Sequence, residues 1–130
     1  SLYGTSAGPA RRILESGRDL LLDIDVQGAA QVRRRLPEAV TIFILPPDFE
    51  TLRQRLVARG MDPPAQLERR LAAARAEAGE FRRYDYVVVN HDLDQAAEEV
   101  RSVVISERRR TSRMEEAAQE ILATFEEANT

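Results

Sequence analysis

Asp23 and Asp25 flank a single isoleucine at the end of the apolar run Leu20-Leu21-Leu22. Acids two apart on a strand point to opposite faces, and the C-terminal end of a strand is where open α/β sheets take ligands. A carboxylate there can hold a metal-bound water or accept hydrogen bonds from a ligand. It can equally cap a helix starting near Gln27. Arg55 and Arg59 are four apart, so they share one helical face. Arg69 and Arg70 stand early on the next helix, beyond a turn at residues 60–65. Arginine's planar fork binds phosphate oxygens two at a time. Two arginine-bearing helices joined by a turn would make a lid that closes on phosphates, and solvated helix faces are the alternative. Arg11, Arg12, Arg33, Arg34, Arg82 and Arg83 read as solvated. Tyr3-Gly4-Thr5-Ser6 gathers three hydroxyls round a glycine, which suits an anion or a capping turn. Asn90, at a strand end, can read a base edge or begin a turn, and His91 reads as a loop residue.

These residues need elements to carry them. Apolar periodicity predicts helices and strands in alternation. The strands are residues 20–25, 40–45 and 86–89. A first helix is bounded by Pro9 and Gly17, and those after it cover roughly residues 27–36, 48–59, 66–82 and 93–109, with an amphipathic terminal helix over 113–127. On the helix over 27–36, Ala29, Ala30 and Val32 face inward and Arg33, Arg34 and Arg35 largely outward. Pro37 stops it, Asp48 caps the next helix and Gly60 ends it. Strands alternating with helices imply crossovers and a parallel sheet.

The remaining composition bounds the function. The chain has 130 residues, 43% hydrophobic and 32% charged, an ordinary globular balance for one domain. Cysteine is absent, which excludes disulfides and thiolate metal sites. No apolar run approaches the ~20 residues that cross a bilayer, and the N-terminus has no signal pattern. The expectation is a cytoplasmic protein without membrane partners. With a net charge of −3, a pI near 5.3 and scattered arginines, a nucleic-acid partner is not expected, because backbone binding needs a concentrated basic patch. All nineteen cationic side chains are arginine, and there is no lysine.

Taken in order, the pieces resemble the guanylate kinase family. The resemblance runs over residues 3–104. It includes Tyr3-Gly4-Thr5, then Leu21-Leu22-Asp23-Ile24-Asp25-Val26-Gln27-Gly28, then Phe43-Ile44-Leu45-Pro46-Pro47. Arg59-Gly60, Arg69-Arg70-Leu71 and Asp85-Tyr86-Val87-Val88-Val89-Asn90 follow. Each string is common, but the ordered set is specific. The resemblance implies an α/β fold with a parallel sheet in the three-layer, P-loop kinase-like arrangement, truncated and missing the central P-loop strand. It implies one domain over 1–130, with a core at 3–59 and 83–110, a lid at 60–82 and a C-terminal helix at 113–127.

It also implies roles. Tyr3 would contact the GMP phosphate and Thr5 the guanine, with Asp25 accepting a hydrogen bond from guanine. Asp23 would lie beside Mg2+, the ion that accompanies ATP. Arg55, Arg59 and Arg70 would clamp phosphates, with Arg59 also near adenine and Asn90 at the adenine pocket. The implied reaction moves the γ-phosphoryl group of ATP to GMP, giving ADP and GDP. A non-catalytic, peptide-binding module of the same family is the alternative; such modules tend to lose the acids and arginines retained here.

Departures from the family pattern shape further expectations. No Gly-rich, lysine-bearing phosphate loop occurs, so this chain alone is expected to be inactive. Removing the strand before that loop would leave two neighbours unpaired. The strands over 20–25 and 40–45 are expected to pair directly, or the chain to associate with another copy. Pro63 and Pro64 stand where a more acidic lid is usual, His91 replaces an acid, and the helix after Arg113 lies beyond the typical family end.

Overall fold

A computed structural model describes residues 22, 24–60 and 63–128. The chain divides into two compact units, residues 1–87 and 88–130.

In the first unit, helix α1 (Val26–Arg35) starts on Asp25, whose Oδ1 accepts from the Gly28 N–H at 2.7 Å. That bond satisfies one of the amide groups a helix start leaves without an intrahelical partner. Gly28 is required by a close approach. A Cβ there would come within 3.2 Å of both the Asp25 carboxylate and the Ile24 side chain. Arg33, Arg34 and Arg35 fill the last turn, where the helix dipole favours cations. Ala29 and the following Leu36 are buried. Arg33 departs from the outward placement expected for it. Its guanidinium lies 5.0 Å above the Tyr84 ring, and Tyr84 meets Phe43 edge-on at 4.8 Å. A cation over an aromatic face is attracted to the ring quadrupole, which a reading of helix phase alone does not include.

Strand β1 (Ile42–Leu45) pairs with β2 (Tyr86–Val89) in a two-stranded sheet among the described residues. The residues that enter the two strands lock together. Thr41 donates its N–H and its hydroxyl to Asp85 Oδ2, at 2.8 and 3.1 Å. Asp85 N–H donates back to Thr41 Oγ1 at 3.0 Å, and the amides of Asp85 and Tyr86 both reach the Thr41 carbonyl at 3.1 Å. Because start meets start, the strands run in the same direction, as the alternating pattern predicts. β1 begins at Ile42, after the expected start at 40, because Thr41 is committed to this clamp. The helix expected between Pro9 and Gly17 and most of the strand expected over 20–25 lie outside the described residues, as does that strand's pairing with β1. The described Leu22, Ile24 and Asp25 have no regular secondary structure.

Helix α2 (Phe49–Arg59) is capped by Asp48, whose Oδ1 accepts from the Thr51 N–H at 2.6 Å. It ends at Gly60, whose φ of 63° is left-handed, and the Gly60 amide closes on Val57 O at 2.9 Å. Helix α3 (Pro64–Glu77) begins earlier than the expected residue 66, with Pro64 in the first turn, where a missing N–H costs nothing. It also ends earlier. A 3-10 helix (Ala78–Arg83) replaces the last turns of the helix expected to run to 82. Gly79 favours that change, since glycine weakens an α-helical interior.

The second unit carries α4 (Leu93–Arg108) and α5 (Thr111–Ala128). Asp92 caps α4 through the Gln95 N–H at 2.8 Å. Glu107, only 5% exposed, accepts from Arg110 Nε at 2.6 Å, so the turn between the helices carries a hydrogen-bonded charge pair. α5 starts at Thr111 instead of 113 and leaves Ile121, Leu122 and Phe125 exposed on one side. Among the described residues no helix is long and apolar enough to cross a membrane.

Replacing Asp85 with Ala leaves the buried Thr41 N–H and hydroxyl without their acceptor. It is expected to destabilise by about 2–3 kcal/mol, the cost of an unsatisfied buried donor with lost bonds. Asp85→Asn should lose less, and urea unfolding midpoints of the three proteins check the order. A second prediction concerns Asp48. The Thr51 backbone N–H, then the Thr51 hydroxyl and, more weakly, the Arg55 guanidinium hold its carboxyl below the ordinary value of 3.8. The folded state therefore prefers the carboxylate. Its contribution is complete above the ordinary value and is lost as pH falls through the lowered one. The melting-temperature gap between the parent chain and Asp48→Ala should be open near neutral pH and narrow as acidification passes below the ordinary carboxyl value of 3.8.

Candidate phosphate-binding site

The predicted site residues group by element. Tyr3, Thr5 and Asp23 lie outside the described residues. Asp25 stands exposed at the start of α1, where its Oδ1 caps the helix. Of the two readings open in the sequence, capping is the role its observed contact performs. A carboxylate offers about four acceptor positions, so one capping bond leaves it capacity for a ligand's N–H groups.

The arginines sit on the helical hairpin formed by α2 and α3. Arg55, in the middle of α2, is half-buried, and Arg59 in its last turn is exposed. Their i, i+4 spacing puts both on one face, as the sequence requires. Arg59 is also favoured there by the negative end of the α2 dipole, an advantage that needs no ligand. Arg69 and Arg70 are exposed on α3, and Arg69 Nε donates to the Ala65 carbonyl at 3.4 Å.

Between these helices is a cleft of about 470 Å³, lined by Phe49, Glu50, Arg53, Glu68, Leu71 and Arg75 among others. Arg55, Arg59 and Arg70 do not line it. They stand on other faces of their helices than the residues that line it. Holding the hairpin together are buried Leu71, 4% exposed, and the Arg75 guanidinium, 4.3 Å above the Phe49 ring. Sequence reasoning missed this set. The spacing of Glu68, Leu71, Ala72 and Arg75 was its available signal, since it marks a single helical stripe.

Asn90 follows β2 directly and is half-buried, with exposed His91 next. It belongs to the second unit. Among the described residues no three His, Asp or Glu side chains converge as a cation cage. A magnesium ion that arrives on nucleotide phosphates does not need one. It keeps several waters and takes one or two carboxylates beside the phosphates.

Comparison with known proteins identifies the frame that carries these residues. The profile of the family described as guanylate kinase matches residues 1–107. The guanylate kinase of Nitrosomonas europaea is 48% identical over 125 residues, covering 96% of this chain and 62% of that protein. A guanylate kinase of Thermus thermophilus is 48% identical over 116 residues, covering 89% of this chain and 53% of that protein. A crystal structure of guanylate kinase from Anaplasma phagocytophilum superposes with a TM-score of 0.67 at 31% identity. It covers 82% of this chain and 50% of that one. The chain thus spans between half and just over three-fifths of the length of these proteins. The two paired parallel strands with their connecting helices are a portion of the α/β, P-loop kinase-like fold. The chain belongs to the guanylate kinase family.

Proposed function

We propose that this chain supplies the lid and part of the nucleotide-binding surface of an enzyme that transfers the γ-phosphoryl group of ATP to GMP. One observation supports this reading above the others. The family frame carries Arg55 and Arg59 on one face of α2 and Arg70 on α3, joined through a left-handed glycine. Arginines on two linked helices can approach phosphate oxygens from two directions. Phosphoryl transfer is catalysed mainly by positioning and by neutralising charge, so guanidinium groups on a lid suit it and no covalent nucleophile is needed.

Within this reading, Tyr3 contacts the GMP phosphate, Thr5 and Asp25 recognise guanine, and Asn90 borders adenine, with Arg59 also near that base. Mg2+ accompanies the ATP phosphates and supplies further charge neutralisation when bound, with Asp23 the residue beside it. The proposed division of labour is a core over 3–59 and 83–110, a lid over 60–82 and a terminal helix over 113–127. A polypeptide of these 130 residues alone has no lysine to set on a phosphate, and the reading holds that it does not turn over.

ADP formation from ATP and GMP tests that last point. Loss of a single electrostatic contact of this kind costs on the order of 100-fold or more in rate, so turnover by the 130-residue chain is expected at the background level. Robust turnover would contradict it. Titration of GMP into the chain tests guanine recognition. Asp25→Asn keeps a good helix cap but loses the charged acceptor. It is expected to weaken GMP binding by about tenfold or more with little change in melting temperature.

A further inference from the structure

The contact between Phe49 and Arg75 does more than pack two helices. Phe49 is the first residue of α2, and Arg75 lies in the last turn of α3. Their approach to 4.3 Å joins the start of one helix to the end of the next. α2 and α3 are therefore antiparallel, with the link through Gly60 at the opposite end. Counting inward from that contact brings Arg55 level with Arg69 and Arg70. The spacing between the helices at the Phe49–Arg75 end then sets how far Arg70 stands from Arg55.

That end is lightly held. Arg75 is exposed and Phe49 half-buried, and a cleft of about 470 Å³ lies between the helices beside them. That cleft opens to solvent, so no packed layer encloses the contact beside it. Leu71 is the one residue of α3 that is buried. At the far end, Gly60 has a left-handed backbone, and a Cβ there would meet nothing within 4 Å. α3 thus follows a left-handed glycine at one end, runs into a 3-10 segment at the other, and meets α2 through an exposed cation–π contact.

We propose that Phe49 and Arg75 are positioning residues, a latch that sets the separation of α2 from α3 and so aligns Arg70 with Arg55 for phosphate. The alignment role rests on the phosphate-clamp reading above, whereas the latch itself does not. An exposed cation–π contact shifts an equilibrium by about three-fold, which suits a segment that must both open and close. A tighter contact would hold it shut.

The chain has no cysteine, so a pair of spin labels can be placed at Gln54 and Ala73 and their distance distribution measured in the 130-residue chain. The expected result is a narrow main population in the parent. Phe49→Leu and Arg75→Gln should each shift population about three-fold towards longer distances, with melting temperatures close to the parent's. Phe49→Tyr, which keeps the ring, should restore the parent distribution. Identical distributions in all four proteins would overturn the latch, as would equal broadening in Phe49→Tyr and Phe49→Leu. Inorganic tripolyphosphate, which needs no base site, separates the two readings. If the latch behaves as described but Arg55→Ala and Arg70→Ala leave tripolyphosphate binding unchanged, the latch stands and the phosphate clamp falls.

Discussion

The clamp between Thr41 and Asp85 is the constraint on which the first unit depends. Thr41 precedes β1 and Asp85 precedes β2, so the clamp sets where the two strands meet and which way they run. Everything between them, namely α2, α3 and the 3-10 helix, is a loop closed by that meeting. Closing it costs chain entropy that local structure does not repay. The return comes from a side-chain carboxylate that satisfies both an amide and a hydroxyl, while two further amides converge on the Thr41 carbonyl. Thr41 is buried although Asp85 is exposed, so the Thr41 groups depend on this partner more than the carboxylate does. Just beside the clamp, Tyr84 takes the edge of Phe43 and the guanidinium of Arg33. This brings α1 onto the start of the sheet.

With the strands fixed, the hairpin of α2 and α3 is held at its base by β1 and β2 and free to differ in stiffness along its length. Its local signals are strong. Asp48 fixes the start of α2, Gly60 the end, and Pro64 the start of α3. The contact between the helices is weaker, resting on one buried leucine and one cation–π pair that line an open cleft. Strong helices with a lightly held seam suit the proposed lid, in which the arginines would keep their spacing within each helix while the distance between helices changed.

Three of the five described α-helices start with one device. Asp25, Asp48 and Asp92 each accept from the amide three residues on. An aspartate at a cap has two jobs open to it, since the carboxylate can serve the helix and still accept hydrogen bonds from elsewhere. At Asp48 the second partner is electrostatic, the guanidinium of Arg55. At Asp25 the proposed second partner is guanine. Using one carboxylate for both tasks holds its rotamer in place before a ligand arrives, which lowers the entropic cost of binding.

Much of the frame was legible from one dimension. Helix caps, the glycine stop and the two described strands depend on a residue and its near neighbours, and these were read to within a few residues. So was the family, because the ordered strings around Asp25, Pro46, Gly60 and Asn90 survive without reference to distance in space. The failures were of two kinds. The helix expected to run unbroken to 82 tightened at Gly79, where local propensity was weak enough for the approach to β2 to decide. Helix phase alone makes Arg33 solvated, and periodicity gives Phe49, Thr41 and Asp85 no functional mark, nor does it show the ring that Arg75 meets. Each of them finds its partner on a different element. Sequence by itself determined which segments are helix or strand, where they stop and which family they serve, since those follow from local hydrogen bonding and periodicity. Only the tertiary structure decided which arginines hold the scaffold and which project from its other faces, because a guanidinium's role is set by the ring or carboxylate that folding brings beside it.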